Sequence, residues 1–210
     1  SEAQRDSAAV NSADSTDSGS DSGSTKTPEA PRHAALGERF YAKNLVQSHG
    51  SGEIYVTIDR AEVFTTFAEA GIALEDTCPY SVVDGMHYDQ ASGKLLHDGV
   101  IVTLHFTVEN VNATSPWHAT DPEFYEEYDF EIDALGGCTE GITFYFSKHD
   151  ACSGNYFAFH LEPGETTEFE VSYLVYWSEI ASDKDTALKH VQFETAYPAT
   201  LGTTVDLNLK

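Results

Sequence analysis

The chain has 210 residues, of which 40% are hydrophobic and 12% aromatic, enough to build a substantial core. Its 35 acidic and 11 basic residues give a formal net charge of −24. Such a charge excludes nucleic acid and anionic lipid as expected partners, because binding either requires Lys and Arg side chains that neutralise phosphate, and it attracts cations or basic proteins. No run of about 18 apolar residues exists, so no segment is expected to span a membrane.

The first segment, residues 1–31, is rich in Ser, Asp, Gly, Ala and Thr and has no aromatic residue. It offers too little apolar surface to offset the entropy of ordering, so we expect a disordered tether. Its six acidic and two basic residues leave 29 acidic and nine basic residues for residues 32–210, which we expect to form one domain. The first residues look like the interior of a precursor from which a preceding segment has been removed.

Two strands are predicted early in the domain. Residues 37–46 favour a first strand, and in residues 52–64 three apolar side chains, Ile54, Val56 and Ile58, alternate with polar ones. The connection that follows, residues 65–98, includes a predicted short helix at residues 67–71. Connections of more than about 15 residues are uncommon inside a compact domain and often carry function.

The strongest strand signal lies at residues 99–111. One face carries five apolar residues: Val100, Val102, Leu104, Phe106 and Val108. The alternate positions are mixed and include His105, so we expect a half-buried antiparallel strand. A second long strand with the same alternation is predicted over residues 166–177, after a sharp turn at residues 161–165.

The remaining predicted elements are short. Five further segments favour strands and residues 183–188 favour one helical turn; the strand segments are residues 129–135, 142–146, 156–160, 191–195 and 203–209. A total of about nine short strands separated by turn signals predicts an all-β, antiparallel β-sandwich with minimal helix. No internal repeat of about 20 to 50 residues is visible, which argues against a solenoid or a propeller.

The order of these elements resembles that of a known family. A Ser/Asp-rich tether precedes Gly93-Lys-Leu-Leu, the strand that begins at Gly99, and the turn Leu161-Glu-Pro-Gly-Glu. Over residues 36–209 the chain resembles the immunoglobulin-like domains of unknown function found in Gram-positive surface lipoproteins, whose fold is similar to that of the secreted mycobacterial immunoprotective antigen. The resemblance implies an immunoglobulin-like sandwich that is either secreted or held at the extracellular face of the membrane by a lipid anchor upstream of the tether. It brings no catalytic residues.

Three cysteines, Cys78, Cys138 and Cys152, permit one disulfide and one remaining thiol. Glycines next to Cys138 and Cys152 allow the backbone to bring these two together, so we predict a Cys138–Cys152 disulfide, which an exported compartment would oxidise. In the chain-entropy model such a bridge stabilises by about 3 kcal/mol. A zinc site formed by Cys138, Cys152 and His149 is the alternative, although paired metal-ligand spacing is missing.

The densest acidic run lies within residues 121–133, and its carboxylates are candidate calcium ligands because calcium takes roughly six to eight oxygens. The alternative is a solvated edge whose charge prevents pairing with other chains. The candidate ligands are Asp121, Glu123, Glu126, Glu127 and Asp129. The same region has aromatic residues that suit either a core or the binding of a sugar or protein partner: Trp117, Phe124, Tyr125 and Tyr128.

Two further features are read in more than one way. Asn112-Ala-Thr matches the N-glycosylation acceptor pattern, although a turn is its commoner meaning in a bacterial protein. His105 and His160 occupy strand positions, where a satisfied or solvent-facing imidazole is the usual explanation.

Nothing resembling a nucleophile elbow surrounds any Ser or Cys, and a catalytic cysteine would need a neighbouring base. The sequence therefore predicts a non-catalytic binding or display module for an extracellular protein or glycan, without a cofactor. The alternative is a metal-binding protein or a metal-dependent enzyme that uses His149, Cys152 and acidic residues.

Overall fold

The chain was analysed as a computed structural model, which describes residues 29–42, 52–77, 87–89, 91–114, 130–131, 135–136, 142–147, 158–159, 161–195 and 202–210. The strands in this part are β1 (His33–Ala35), β2 (Phe40–Tyr41), β3 (Ile54–Phe64), β4 (Gly99–Asn110), β5 (Phe130–Glu131), β6 (Leu135–Gly136), β7 (Ile142–Phe146), β8 (Ala158–Phe159), β9 (Thr166–Tyr176), β10 (Gln192–Glu194) and β11 (Thr204–Asp206). Helix α1 is Lys184–Leu188, and Leu74–Asp76 and Trp177–Glu179 are 3₁₀ helices.

The strands form two main sheets that pack as a sandwich, so the prediction of an all-β sandwich with little helix is confirmed. One sheet has five strands in the order β2-β3-β4-β9-β7, and the other has four in the order β1-β11-β10-β6. The pair β5-β8 is separate. None of the described helices has the length and apolar character that crossing a membrane requires.

The strand pairing departs from the expected pattern at one point. The five-stranded sheet is antiparallel throughout, but β1 runs parallel to β11. The backbone N–H of Thr204 donates to the carbonyl of Arg32 at 2.9 Å, and the Thr203 hydroxyl donates to the carbonyl of Pro31 at 2.5 Å. The first strand is thereby held against the last one, which the sequence pattern did not indicate.

Strand β4 lies in the middle of the five-stranded sheet, and its predicted apolar face is buried. This inner face of the sheet packs against the four-stranded sheet in the main core. The ring of Phe106 on β4 lies 5.1 Å from that of Phe193 on β10 and stacks at 5.2 Å on that of Phe169. Aromatic packing of this kind joins the two sheets.

The opposite, outer face of β4 is also buried along its first half, which corrects the prediction of a half-buried strand. A second core covers it, composed of Phe67, Ile72, Leu95, Ile101, Phe144 and Leu174. Within it, the Phe67 ring meets the Phe144 ring edge to face at 5.4 Å. The described parts of the connection 65–98 therefore act as a cover for one end of the outer face.

Several local predictions are tested by the structure. Residues 37–46 were expected to form one strand, but β2 is only two residues long and is separated from β1 by a turn. Residues 67–71 form a hydrogen-bonded turn rather than a helix. The helical turn at residues 183–188 is confirmed as α1, whose N-cap Asp183 accepts a hydrogen bond from the Thr186 N–H at 2.9 Å.

Asn110, the last residue of β4, is fully buried and fastens the strand end to the rest of the domain. Its amide nitrogen donates to the carbonyls of Ala113 at 3.0 Å and Leu161 at 2.7 Å, and its side-chain oxygen accepts from the Ala113 N–H at 2.7 Å. The side chain thus satisfies three buried backbone groups from two segments.

We expect Asn110→Ala to lower the free energy of unfolding by about 3 kcal/mol, because it leaves three buried backbone groups without partners. The matched control is Asn112→Ala two residues later, at an exposed position with a single side-chain hydrogen bond, where the loss should stay near 1 kcal/mol or below. Urea unfolding of both variants provides the measurement. Equal losses would show that the buried bonds do not stabilise this end of β4.

Candidate functional site

Most of the residues that the sequence singled out lie outside the part of the chain that the structure describes. This holds for residues 1–28 of the predicted tether 1–31, for all three cysteines, for His149 and His160, and for the whole acidic and aromatic set, which comprises Trp117, Asp121, Glu123, Phe124, Tyr125, Glu126, Glu127, Tyr128 and Asp129. The disulfide, calcium and zinc interpretations therefore stay predictions. Of the singled-out residues, His105 and Asn112 are described.

His105 lies in an open cleft of about 610 Å³ on the outer face of the five-stranded sheet, which we call the His105 cleft. The cleft begins where the second core ends. Its polar lining comes from β3, β4, β9 and the residue after β7, and consists of Asp59, Arg60, His105, Thr107, Ser147, Glu168 and Glu170.

The imidazole of His105 bridges two carboxylates on the neighbouring strands. Its Nε2 lies 2.8 Å from a carboxylate oxygen of Glu62 on β3, and its Nδ1 lies 3.0 Å from one of Glu170 on β9. The His105 side chain is 12% exposed, whereas each carboxylate side chain is 43% exposed. Both ring nitrogens of His105 are therefore within hydrogen-bond distance of a carboxylate.

A β-bulge in β3 builds one wall of the cleft. Ile58 pairs with Phe106 and Arg60 with His105, so Asp59 is the extra residue. Ala61 and Val63 follow Ile58 by odd numbers of residues, which in a regular strand would place them on the opposite face. The bulge brings them back against the main core. It also places the Asp59 carboxylate where the Thr107 hydroxyl donates to it at 2.8 Å.

Hydrogen bonds set the protonation of the carboxylate on the β3 side. The guanidinium of Arg60 donates to Glu62 at 3.1 Å, and this bond, together with that from His105, lowers the pKa of Glu62 against the opposing effect of burial. On the β9 side, the pKa of Tyr145 is raised mainly by burial and to a lesser extent by the charge of Glu170. Glu170 is also fixed through its backbone, since its N–H donates to the Ser147 hydroxyl at 2.9 Å.

The outer face changes from apolar to charged along β4. Next to the second core, the buried hydroxyls of Thr103 and Ser172 share a hydrogen bond of 2.8 Å. Beyond the cleft, Arg39 binds Glu109 at 2.7 Å and lies 3.5 Å above the ring of Tyr55. The cleft is therefore a charged strip between an apolar cover and an ion pair.

A second described imidazole, His87, lies in the connection and was not predicted as a site. Its Nδ1 is hydrogen-bonded to the hydroxyl of Tyr176 at the end of β9. Burial, followed by the nearby His97, lowers the pKa of His87. The contact ties the connection to the end of β9.

The contacts of His105 restrict the chemistry that the cleft can perform. Both ring nitrogens of His105 are engaged by carboxylates, so neither is available to take a proton from a substrate. Within the described ranges, no group of three or more His, Cys, Asp or Glu side chains has an arrangement that would hold a metal ion. Nothing in this part of the chain indicates catalysis.

Comparison with known proteins gives no relative from which to transfer a function: no protein-family model, no curated protein sequence and no solved structure matches the chain. The similarity to surface lipoprotein domains thus stays a prediction, and the cleft has to be interpreted from its own residues.

Only part of the cleft could be predicted from the sequence. His105 was assigned to a strand position where a satisfied imidazole is common, and this is how the structure places it. Its partners were missed, because Glu62 precedes it by 43 residues and meets it only through strand pairing. One signal was present: the consecutive charges Asp59 and Arg60 interrupt the alternation of β3, as a bulge does.

We expect Glu62→Gln to reduce the acid sensitivity of the fold. A carboxylate whose pKa is lower in the folded state contributes stability above its unfolded pKa and loses that contribution as the pH falls through the folded value. Between about pH 6 and pH 3 the wild type should therefore lose more stability than Glu62→Gln, by less than about 1 kcal/mol because the group is largely exposed.

Urea unfolding at each pH measures this difference. As a control, the same comparison is made between Arg60→Ala and the double variant Arg60→Ala/Glu62→Gln. The difference in acid sensitivity should then be smaller, since the Arg60 hydrogen bond is the largest cause of the low pKa of Glu62. A wild type that resists acid better than Glu62→Gln would contradict the assignment.

Proposed function

We propose that the chain is a non-catalytic binding module that recognises a basic segment of a partner protein through the His105 cleft. In line with the surface lipoprotein resemblance, the module is exported and is either secreted or held at the membrane by its N-terminal segment. The observation that carries the proposal is the arrangement of carboxylates in the cleft.

The positive groups within the cleft are already engaged. Arg60 binds Glu62, and His105 binds both Glu62 and Glu170. These contacts occupy the carboxylates nearest the second core, so a cationic ligand on that side of the cleft would have to compete with Arg60 and His105.

The far side of the cleft retains negative charge. Within the described residues, the Asp59 carboxylate accepts a hydrogen bond only from the neutral Thr107 hydroxyl. Glu168, opposite Thr107 on β9, is exposed, and its side chain has no hydrogen-bond or ion-pair partner within the described residues. Asp59 and Glu168 lie on the two strands that flank β4, and among the described residues no Lys or Arg side chain pairs with either of them, so they suit a Lys or Arg side chain from another molecule.

The long-range charge supports the same kind of partner. A net charge of −24 raises the rate at which a basic protein meets this surface and disfavours acidic ones. An uncharged glycan could donate hydrogen bonds to these carboxylates but would gain no Coulombic attraction from them or from the net charge, which is why the proposal commits to a basic protein segment.

Titration calorimetry with a Lys/Arg-rich peptide tests the proposal. Glu168→Gln should weaken binding about two- to fivefold, as expected for one exposed ion pair, and Glu168→Lys about tenfold or more. The control is Glu179→Gln, an exposed carboxylate in the 3₁₀ helix after β9, which should leave the affinity unchanged.

Salt and peptide charge complete the test. Binding should weaken as salt rises, because exposed ion pairs are screened, and an acidic peptide of equal length should not bind. Equal losses in Glu168→Gln and Glu179→Gln would place binding elsewhere, and equal affinity for basic and acidic peptides would refute recognition of a basic segment.

A further inference from the structure

The turn directly after β4 contains the sequence Asn112-Ala113-Thr114, in which an asparagine is followed two residues later by threonine. Of the six asparagines in the chain, only Asn112 stands in this arrangement with a residue other than proline between. It is the acceptor pattern for N-linked glycans. The function proposed above makes no use of it.

The structure separates the roles of two asparagines that lie close together in sequence. Asn110 is fully buried, and both its amide nitrogen and its oxygen are engaged in hydrogen bonds. Asn112 is exposed, and its oxygen accepts a hydrogen bond from the Glu53 N–H at 2.7 Å. Within the described residues, no acceptor is bound to the amide nitrogen of Asn112.

This division matches what glycosylation requires of the side chain. The sugar is attached to the amide nitrogen, and the side-chain carbonyl remains an acceptor in the product. A glycan on Asn112 therefore keeps the hydrogen bond from Glu53, whereas a glycan on Asn110 would replace a buried donor.

The backbone around Asn112 is held firmly at the surface. The Val111 N–H donates to the Glu53 carbonyl at 3.0 Å. Gly52, at a φ of +109°, comes so close that an added Cβ would lie 2.5 Å from the Asn112 carbonyl oxygen. Glycine at this position lets the two segments meet, so the turn presents Asn112 in a fixed position.

The neighbouring surface is also unusual for this protein. Val111 is 39% exposed and is the exposed large hydrophobic residue of the described part. An attached glycan would stand next to it and shield it from water and from other chains.

We propose that Asn112 is an N-glycosylation site. The proposal rests on the export included in the proposed function and on a cell that couples export to an oligosaccharyltransferase, and not on the bacterial origin that the family resemblance implies. The donor is an oligosaccharide linked to a polyprenyl pyrophosphate. The Asn112 amide nitrogen forms a bond to the anomeric carbon, the bond from that carbon to the pyrophosphate oxygen breaks, and the amide proton passes to a base of the transferase. No oxidant or reductant takes part.

The glycan would leave the His105 cleft accessible. Thr107 lies three residues before the end of β4 at Asn110, about 10 Å along the strand, and Asn112 lies in the turn beyond that end. The two sites are therefore at different places along β4 and the turn after it, and their tests are independent.

The experiment expresses the full chain behind a cleavable secretion signal in a eukaryotic host and measures the intact mass before and after peptide N-glycosidase treatment. Wild type and Thr114→Ser, which preserves the acceptor pattern, should carry a glycan. Asn112→Gln and Thr114→Ala should carry none. Thr114→Ala leaves the Asn112 bond to Glu53 in place and so remains informative if Asn112→Gln folds poorly.

Enzymatic removal of the glycan should shift the Tm by no more than about 4 °C, roughly the effect of 1 kcal/mol or less. Secreted, folded wild type with an unmodified mass, or with the glycan on another residue, would overturn the inference. Basic-peptide binding by the same samples separates the two proposals: an unmodified chain that binds refutes only the glycan, and a modified chain that does not bind refutes only the proposed function.

Discussion

The backbone hydrogen bonds of β4 are the constraint on which the remaining structure depends. This strand pairs with β3 on one side and with β9 on the other over almost its whole length. Because the period of a strand is two, this pairing assigns every β4 side chain to one face or the other. The inner face is apolar from Val100 to Val108 and joins the second sheet, so over this stretch the character of the outer face is what varies along the strand.

The His105 cleft follows from the point at which the outer cover ends. The second core buries Ile101 on the outer face, the hydroxyl pair of Thr103 and Ser172 follows, and His105 comes next. A charge deep in the core would lack water and partners, whereas at this position carboxylates on both neighbouring strands satisfy the imidazole while keeping contact with solvent. The transition from apolar to charged is thus a consequence of how far the connection 65–98 reaches.

The strand and helix patterns that depend on local sequence were predictable. The alternation in β4 and β9 identified the main core, and residues 183–188 were predicted as the helical turn that α1 forms, because these patterns involve only a few neighbouring residues. Features that depend on pairing between distant segments were not. The Asp59 bulge, the parallel pairing of β1 with β11 and the meeting of His105 with Glu62 and Glu170 all require the strand order, which periodicity alone does not contain.

The central claim, that the far side of the His105 cleft receives a cationic side chain, is tested most directly by nuclear magnetic resonance of the isotopically labelled chain during titration with a Lys/Arg-rich peptide. The account predicts that the largest shifts of the backbone amide signals occur at Asp59, Thr107 and Glu168, with saturation at one peptide per chain. Small shifts there, together with larger ones on the four-stranded sheet at Gln192–Glu194 and Thr204–Asp206, would contradict it.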